Sequence, residues 1–166
     1  MNYEIVELEE LSGSETGIYS VLEEGDELTL FDHFVDENKK DHTAEVKAIV
    51  DRLISIGSKD GARDIYFKFN EGNLGDGVCA LYDDPDRKLR LYCMRCGKDL
   101  IILGGGGPKP KNVRAYQDDF KLDKEAGKIK QVAKDIMTRI KEKELRWSSD
   151  CKSLIGNLIF TDNEDE

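Results

Sequence analysis

Three stretches decide the fold: Val78-Cys79-Ala80-Leu81-Tyr82, Lys88-Leu89-Arg90-Leu91-Tyr92-Cys93-Met94, and Asp99-Leu100-Ile101-Ile102-Leu103. Each is a short run of branched, aromatic and other apolar residues, the pattern of a buried strand. Asp83-Asp84-Pro85-Asp86 joins the first pair and Cys96-Gly97-Lys98 the second. Connections this short force antiparallel neighbours, because a parallel pair needs a long crossover. The middle third of the chain therefore reads as an antiparallel β-meander.

Upstream of the meander, Ile65-Tyr66-Phe67-Lys68-Phe69 reads as a strand, and residues 71–77, rich in Gly and Asn, as a loop. Residues 43–56 give the clearest early helix. Val46, Ile49, Val50, Leu53 and Ile54 recur at helical spacing on one stripe. Asp41 or Thr43 is the expected cap, and Gly57 stands where a left-handed C-terminal residue is wanted. Before it, residues 3–8 and 17–23 are strand candidates separated by Ser12-Gly13-Ser14. The stretch from Leu28 to Val35 fits a third strand or the start of a helix, and the pattern leaves both open. Downstream, Gly104 to Gly107 end the third meander strand, and a second helix is expected over 121–143. Its stripe is Ile129, Val132, Ala133, Ile136, Met137 and Ile140. Residues 145–147 and 154–160 read as a closing hairpin.

With 166 residues the chain matches one domain and can bury a real core. Hydrophobic residues at 39% and charged residues at 36% make it charge-rich but too apolar for disorder. Apolar runs stay well short of a membrane span, and Met1-Asn2-Tyr3-Glu4 lacks a leader pattern, so a cytoplasmic protein is expected. Four cysteines without an export signal argue for reduced thiols. The net charge of −10 is unevenly placed: residues 1–50 carry net −11, residues 51–120 net +1 and residues 121–166 net 0. Within 121–143 the balance is +4. Such a chain does not bind nucleic acid non-specifically as a whole, but it can still hold a local basic face. Residues 162–166 are expected to form an acidic, disordered tail.

Chemical motifs are few. Cys93-Met94-Arg95-Cys96 is a CxxC, but a zinc site wants about four ligands, and Cys79, Cys151, His33 and His42 are far apart in sequence. A spacing of three also sends the two thiols to opposite strand faces, so small core residues are the better reading, and no metal is expected. No helix follows the pair, as thioredoxin-like chemistry would require. The glycine run lacks the ending of a P-loop. It reads as a flexible strand exit, or as a loop that lets RNA backbone approach Lys109, Lys111 and Arg114. Asp83, Asp84 and Asp86 fit an exposed turn better than an EF-hand. His33 and His42 fit surface or helix-start positions better than a catalytic base.

The order helix, strand, meander, Gly/Lys loop resembles the RelE/HigB class of toxins from type II toxin–antitoxin pairs. The resemblance rests on Phe31-Asp32-His33-Phe34, Val46 to Ile56, Asp64 to Lys68 and Lys88-Leu89-Arg90-Leu91-Tyr92. It rests most on Leu100 to Leu103 running into Gly104-Gly105-Gly106-Gly107-Pro108-Lys109-Pro110-Lys111. It implies an α+β fold in which a RelE-like meander, within a core of about residues 43–143, packs against helices, with extra hairpins at both ends of one domain. It implies a metal-free, cofactor-free endoribonuclease that cuts mRNA, often on the ribosome, and is neutralised by a cognate helix-turn-helix antitoxin. Arg90 matches the arginine of the family's Arg-apolar-Tyr strand. Lys68 and Arg63 fall in its basic strand region, Lys109 and Lys111 follow the glycine, and Tyr116 is an acid or base by position. Arg90, Lys68 and Tyr116 are thus the catalytic candidates, and Arg63, Lys109, Lys111 and Arg114 the substrate-binding ones. The chain departs from the family in its acidity and in having no histidine near the matched strands. A non-catalytic regulatory or inhibitory module that binds proteins through its acidic surface is the alternative.

Overall fold

The structure, a computed structural model, describes residues 1–69, 77–84, 86–109 and 116–162, with the side chains of 116–119 left aside. The chain folds as α+β. Among the described residues, nine strands and three α-helices follow in the order β1 (Tyr3–Glu7), β2 (Gly17–Glu23), α1 (Leu30–Asn38), α2 (Thr43–Ser55), β3 (Phe67–Lys68), β4 (Val78–Tyr82), β5 (Leu89–Cys96), β6 (Leu100–Pro108), α3 (Tyr116–Lys141), β7 (Leu145–Trp147), β8 (Leu154–Gly156) and β9 (Ile159–Phe160).

Seven strands form one sheet in the order β3-β4-β5-β6-β2-β1-β9. Strands β4, β5 and β6 are the meander, each antiparallel to the next. The N-terminal pair β1 and β2 is antiparallel, and β2 joins the meander by pairing in parallel with β6. Along the meander, side chains alternate between two apolar cores. Ala80, Tyr92, Met94, Leu100 and Ile102 meet Leu122, Ile129, Val132 and Ile136 of α3. Cys79, Leu81, Leu91, Cys93, Ile101 and Leu103 meet Phe31 and Phe34 of α1 and Ile49 and Leu53 of α2. A sheet covered on both faces needs apolar residues at every position, which is why its strands read as continuous apolar runs. Full burial of Ile49 or Leu53 contributes about 1.5–3 kcal/mol each.

The open choice at residues 28–35 resolves as helix. Thr29 and Asp32 form a reciprocal capping box, each side chain accepting the other's backbone N–H at 3.1 Å. Neither expected cap of α2 operates. Its first flanking residue is His42, without a side-chain cap, and the Thr43 hydroxyl donates back to the Lys39 carbonyl at 2.7 Å. The left-handed residue after α2 is Gly61 (φ 74°), not Gly57, because a π-turn over Ile56–Asp60 extends the helix. Gly57 is needed for a different reason, since a Cβ there would overlap the Leu11 carbonyl.

The strand expected over 65–69 shrinks to Phe67–Lys68, because Asp64–Tyr66 take up a 3-10 turn. The glycine run does not end β6 but lies inside it, and the strand continues to Pro108. Leu91 faces Gly106 and Cys93 faces Leu103, so Gly104 and Gly105 together oppose Tyr92 as a β-bulge. A Cβ at Gly106 would run into the Arg90 carbonyl, so glycine at this position is a packing requirement. The closing segment also divides. β7 and β8 form a separate two-stranded sheet, while β9 pairs with β1 at the far edge of the main sheet. Of the expected tail, 162–166, residues 163–166 lie outside the described residues, and Asp162 pairs with the amino terminus at 2.7 Å.

Candidate nucleic-acid interface

A groove of about 390 Å³ opens where β3 and the β4–β5 turn meet α2. Arg52, Lys68, Arg87 and Lys109 line it, with Tyr66, Tyr82, Asp83 and Asp84. Four separate segments bring these cations together. Arg52 comes from the last turn of α2, Lys68 from the edge strand, Arg87 from the turn between β4 and β5, and Lys109 from the end of β6.

The turn that presents Arg87 is organised by Asp83, which is 2% exposed. Its carboxylate accepts the Leu89 N–H at 2.6 Å, and its carbonyl accepts the Arg87 N–H at 3.2 Å. Arg87 sits at φ 53°, a left-handed conformation that a non-glycine residue holds only under outside constraint. Asp83 is therefore held by the backbone, and its charge together with that of Asp84 offsets part of the positive charge of the four cations. Asp84 approaches Arg52 at 3.7 Å, beyond hydrogen-bond length. Among the described residues, no carboxylate pairs with Lys68, Arg87 or Lys109.

The two tyrosines serve as cation platforms. The Arg52 guanidinium lies 4.2 Å from the Tyr66 ring centroid. Arg90 and Lys109 both address the Tyr82 ring, at 5.4 and 5.9 Å. Each such contact is worth about 0.5–1 kcal/mol at an exposed site. Two like charges on one ring repel each other, and an anion between them would relieve that repulsion. Arg90 also donates from Nη1 to the Tyr92 hydroxyl at 3.2 Å. The Tyr82 hydroxyl is buried and finds no hydrogen-bond partner among the described residues.

Of the residues expected at the site, Lys68 and Lys109 line the groove and Arg90 flanks it through Tyr82. Arg63 is exposed, precedes the 3-10 turn and does not line the groove. Lys111 and Arg114 lie outside the described residues, and Tyr116 is placed only as the first residue of α3. Arg52, Arg87, Tyr66 and Tyr82 are not legible as site residues in the sequence. The one signal pointing to them is Asp83, an acid beside a turn, and alone it reads as turn chemistry.

The cysteines have other surroundings. Cys79 and Cys93 face each other across β4 and β5 with sulfurs 3.5 Å apart, both fully buried. Burial pushes the Cys93 thiol up, and the Cys96 thiol to about 12, so neither readily forms thiolate. Cys93 joins the core beneath α1 and α2, and Cys96 packs against the opposite one, as a spacing of three along a strand requires. Among the described residues, no group of three His, Cys, Asp or Glu is placed to hold a metal, and no helix is long and apolar enough to cross a membrane.

A second crevice, of about 200 Å³, lies between α1 and α3 beside Gly105 and Gly106. Its charges largely satisfy one another: Lys121 with Glu37 at 2.8 Å and Glu125 at 3.3 Å, Lys128 with Glu23 at 2.7 Å, and His33 with Asp26 at 2.6 Å. Burial alone would lower the Lys121 pKa, but the Glu37 and Glu125 carboxylates hold it above its ordinary value. This crevice works as a latch between the helices, whereas Lys68, Arg87 and Lys109 in the groove have no carboxylate partner among the described residues.

Comparison with known proteins returns no match: no family model, no curated protein and no solved structure is similar to the chain. The reading of the site rests on its geometry.

Proposed function

We propose that the groove holds an RNA phosphodiester and that the chain is a toxin-type endoribonuclease of the RelE/HigB kind, cutting mRNA without a metal and neutralised by a cognate antitoxin. The observation that carries this reading is the gathering of Arg52, Lys68, Arg87 and Lys109 around one groove in a chain of net charge −10. Lysine and arginine in a groove with aromatic walls are what single-stranded nucleic acid binding uses: cations track the phosphates and rings stack on bases.

The reaction attacks phosphorus with the neighbouring ribose 2′-oxygen. The O2′–P bond forms and the P–O5′ bond breaks. The products are a 2′,3′-cyclic phosphate and a free 5′-hydroxyl. The 2′-proton passes to a base, and a proton is delivered to the leaving 5′-oxygen. The negative charge that builds on the phosphorane needs fixed cations, a role that falls to Lys109, Arg87 and Arg90. Lys68, and Tyr116 at the start of α3, are the proton-transfer candidates.

The alternative draws on the exposed carboxylates Glu4, Glu7, Glu9, Glu10 and Glu15 of the N-terminal segment, a surface for a basic protein partner in a non-catalytic regulator. One assay separates the readings. Single-stranded RNA is incubated with the protein in chelator, and the new ends are typed. Cyclic phosphate ends that disappear with Arg87→Ala and Lys109→Ala are expected. Intact RNA that also fails to bind would remove the endoribonuclease reading.

A further inference from the structure

The proposed groove uses none of the positive charge on α3. Lysines on this helix divide into two sets. Lys121 and Lys128, on the side facing α1 and β2, are paired with Glu37, Glu125 and Glu23. Lys124, Lys130, Lys134 and Lys141 are exposed and have no carboxylate partner among the described residues. At about 100° per residue, Lys130, Lys134 and Lys141 fall within an arc of roughly 40°, on a line about 16 Å long. Asp123 is the one acid inside that arc among the described residues. Phe120, 72% exposed, and Met137, 45% exposed, border it. Gly127, with open space around it, leaves the line unobstructed.

A protein with ten more acids than bases has carboxylates to spare, yet this face keeps a row of lysines unpaired. Charge complementarity therefore selects a polyanion for it. We infer that the outer face of α3 is a second contact for RNA backbone, separate from the groove, so that the protein grips a strand longer than the groove alone can hold. This rests on the reading of the groove as an RNA site and adds the requirement for length. Phosphates neutralised by the lysines release counterions, and each contact leaves its mark on the salt dependence of binding.

The test uses the full chain and RNAs 2′-O-methylated throughout, which blocks cleavage, in anisotropy titrations over a range of salt. One RNA is about 20 nucleotides long and the other about four, sized to the groove. A variant combining Lys130→Gln, Lys134→Gln and Lys141→Gln is expected to flatten the salt slope for the long RNA by about two, at roughly 0.7 per phosphate contact on a single strand. It should leave the affinity for the short RNA within about twofold. A groove variant, Lys68→Gln with Arg87→Gln, should instead weaken both RNAs about tenfold or more. An unchanged slope for the long RNA in the α3 variant overturns the inference and leaves that face to solvent or to an acidic protein. A groove variant that binds the short RNA normally overturns the groove reading, and the α3 face then stands or falls on the long-RNA slope alone.

Discussion

Replacing Asp83 with alanine tests stability and site together. The side chain is 2% exposed and accepts the Leu89 N–H at 2.6 Å, a short charge-assisted bond at the first residue of β5. Its loss leaves a buried N–H without a partner, which costs about 1–3 kcal/mol. The turn also loses the constraint that keeps Arg87 at φ 53°, a conformation that costs on the order of 1 kcal/mol by itself. The native state can recover that strain by relaxing, so a net loss of about 2 kcal/mol is expected. Urea unfolding followed by circular dichroism would read it as a lower midpoint at an unchanged slope. RNA affinity measured well below the midpoint should fall, but by no more than it does in Arg87→Ala, because the arginine is displaced rather than absent. Asp83→Asn, which keeps an acceptor oxygen, should recover most of both. An Asp83→Ala protein within about 0.5 kcal/mol of wild type, binding RNA normally, would refute the assignment of Asp83 as the organiser of this turn.

Three further outcomes follow from the same geometry. Gly106→Ala forces a Cβ against the Arg90 carbonyl in the middle of the β5–β6 ladder, and overpacking of this kind should lower stability by about 1–3 kcal/mol, read by thermal unfolding. Arg139→Ala removes a buried guanidinium that donates to the Asn157 carbonyl at 2.9 Å, also donates to the Ile159 carbonyl and stacks 3.7 Å from the Phe160 ring centroid. A loss of about 2–4 kcal/mol, with fast amide exchange appearing first in β9 and its partner β1, is the expected result. Asp26 is held below its ordinary pKa by the Leu28 N–H and then by His33. A depressed carboxylate contributes stability above its unfolded pKa and loses it as pH falls through the folded one. Wild type and Asp26→Ala should therefore differ at neutral pH and converge in acid, and a gap that stays constant down to low pH would contradict this.

Much of the fold is readable because its signals are local. The meander follows from connections of a few residues, and its strands begin within a residue of those expected. Helix α2 follows from the stripe Val46, Ile49, Leu53, and α3 from Ile129, Val132, Ile136, although α3 starts five residues before the expected residue 121. The glycine run defeats local reading for a physical reason. Gly105 and Gly106 are required by what presses on them, and the Glu125 carboxylate and the Arg90 carbonyl come from other segments of the chain. At the groove, Lys68, Arg90 and Lys109 are named beforehand only through the family resemblance, and the structure places Lys68 and Lys109 on its lining and Arg90 beside it. Arg52 looks like one more charge on the polar side of a helix, and Arg87 like a turn residue.

By itself the sequence determined the meander, the two N-terminal strands, α2 and α3, since periodicity and short loops act between residues a few positions apart. Tertiary structure alone decided that β2 pairs in parallel with β6, that α1 and α2 cover one face of the sheet while α3 covers the other, and that four cations from separate segments share one groove. An apolar stripe states that a face must be buried without stating against what, and exposed charges carry no record of the neighbours that folding will give them.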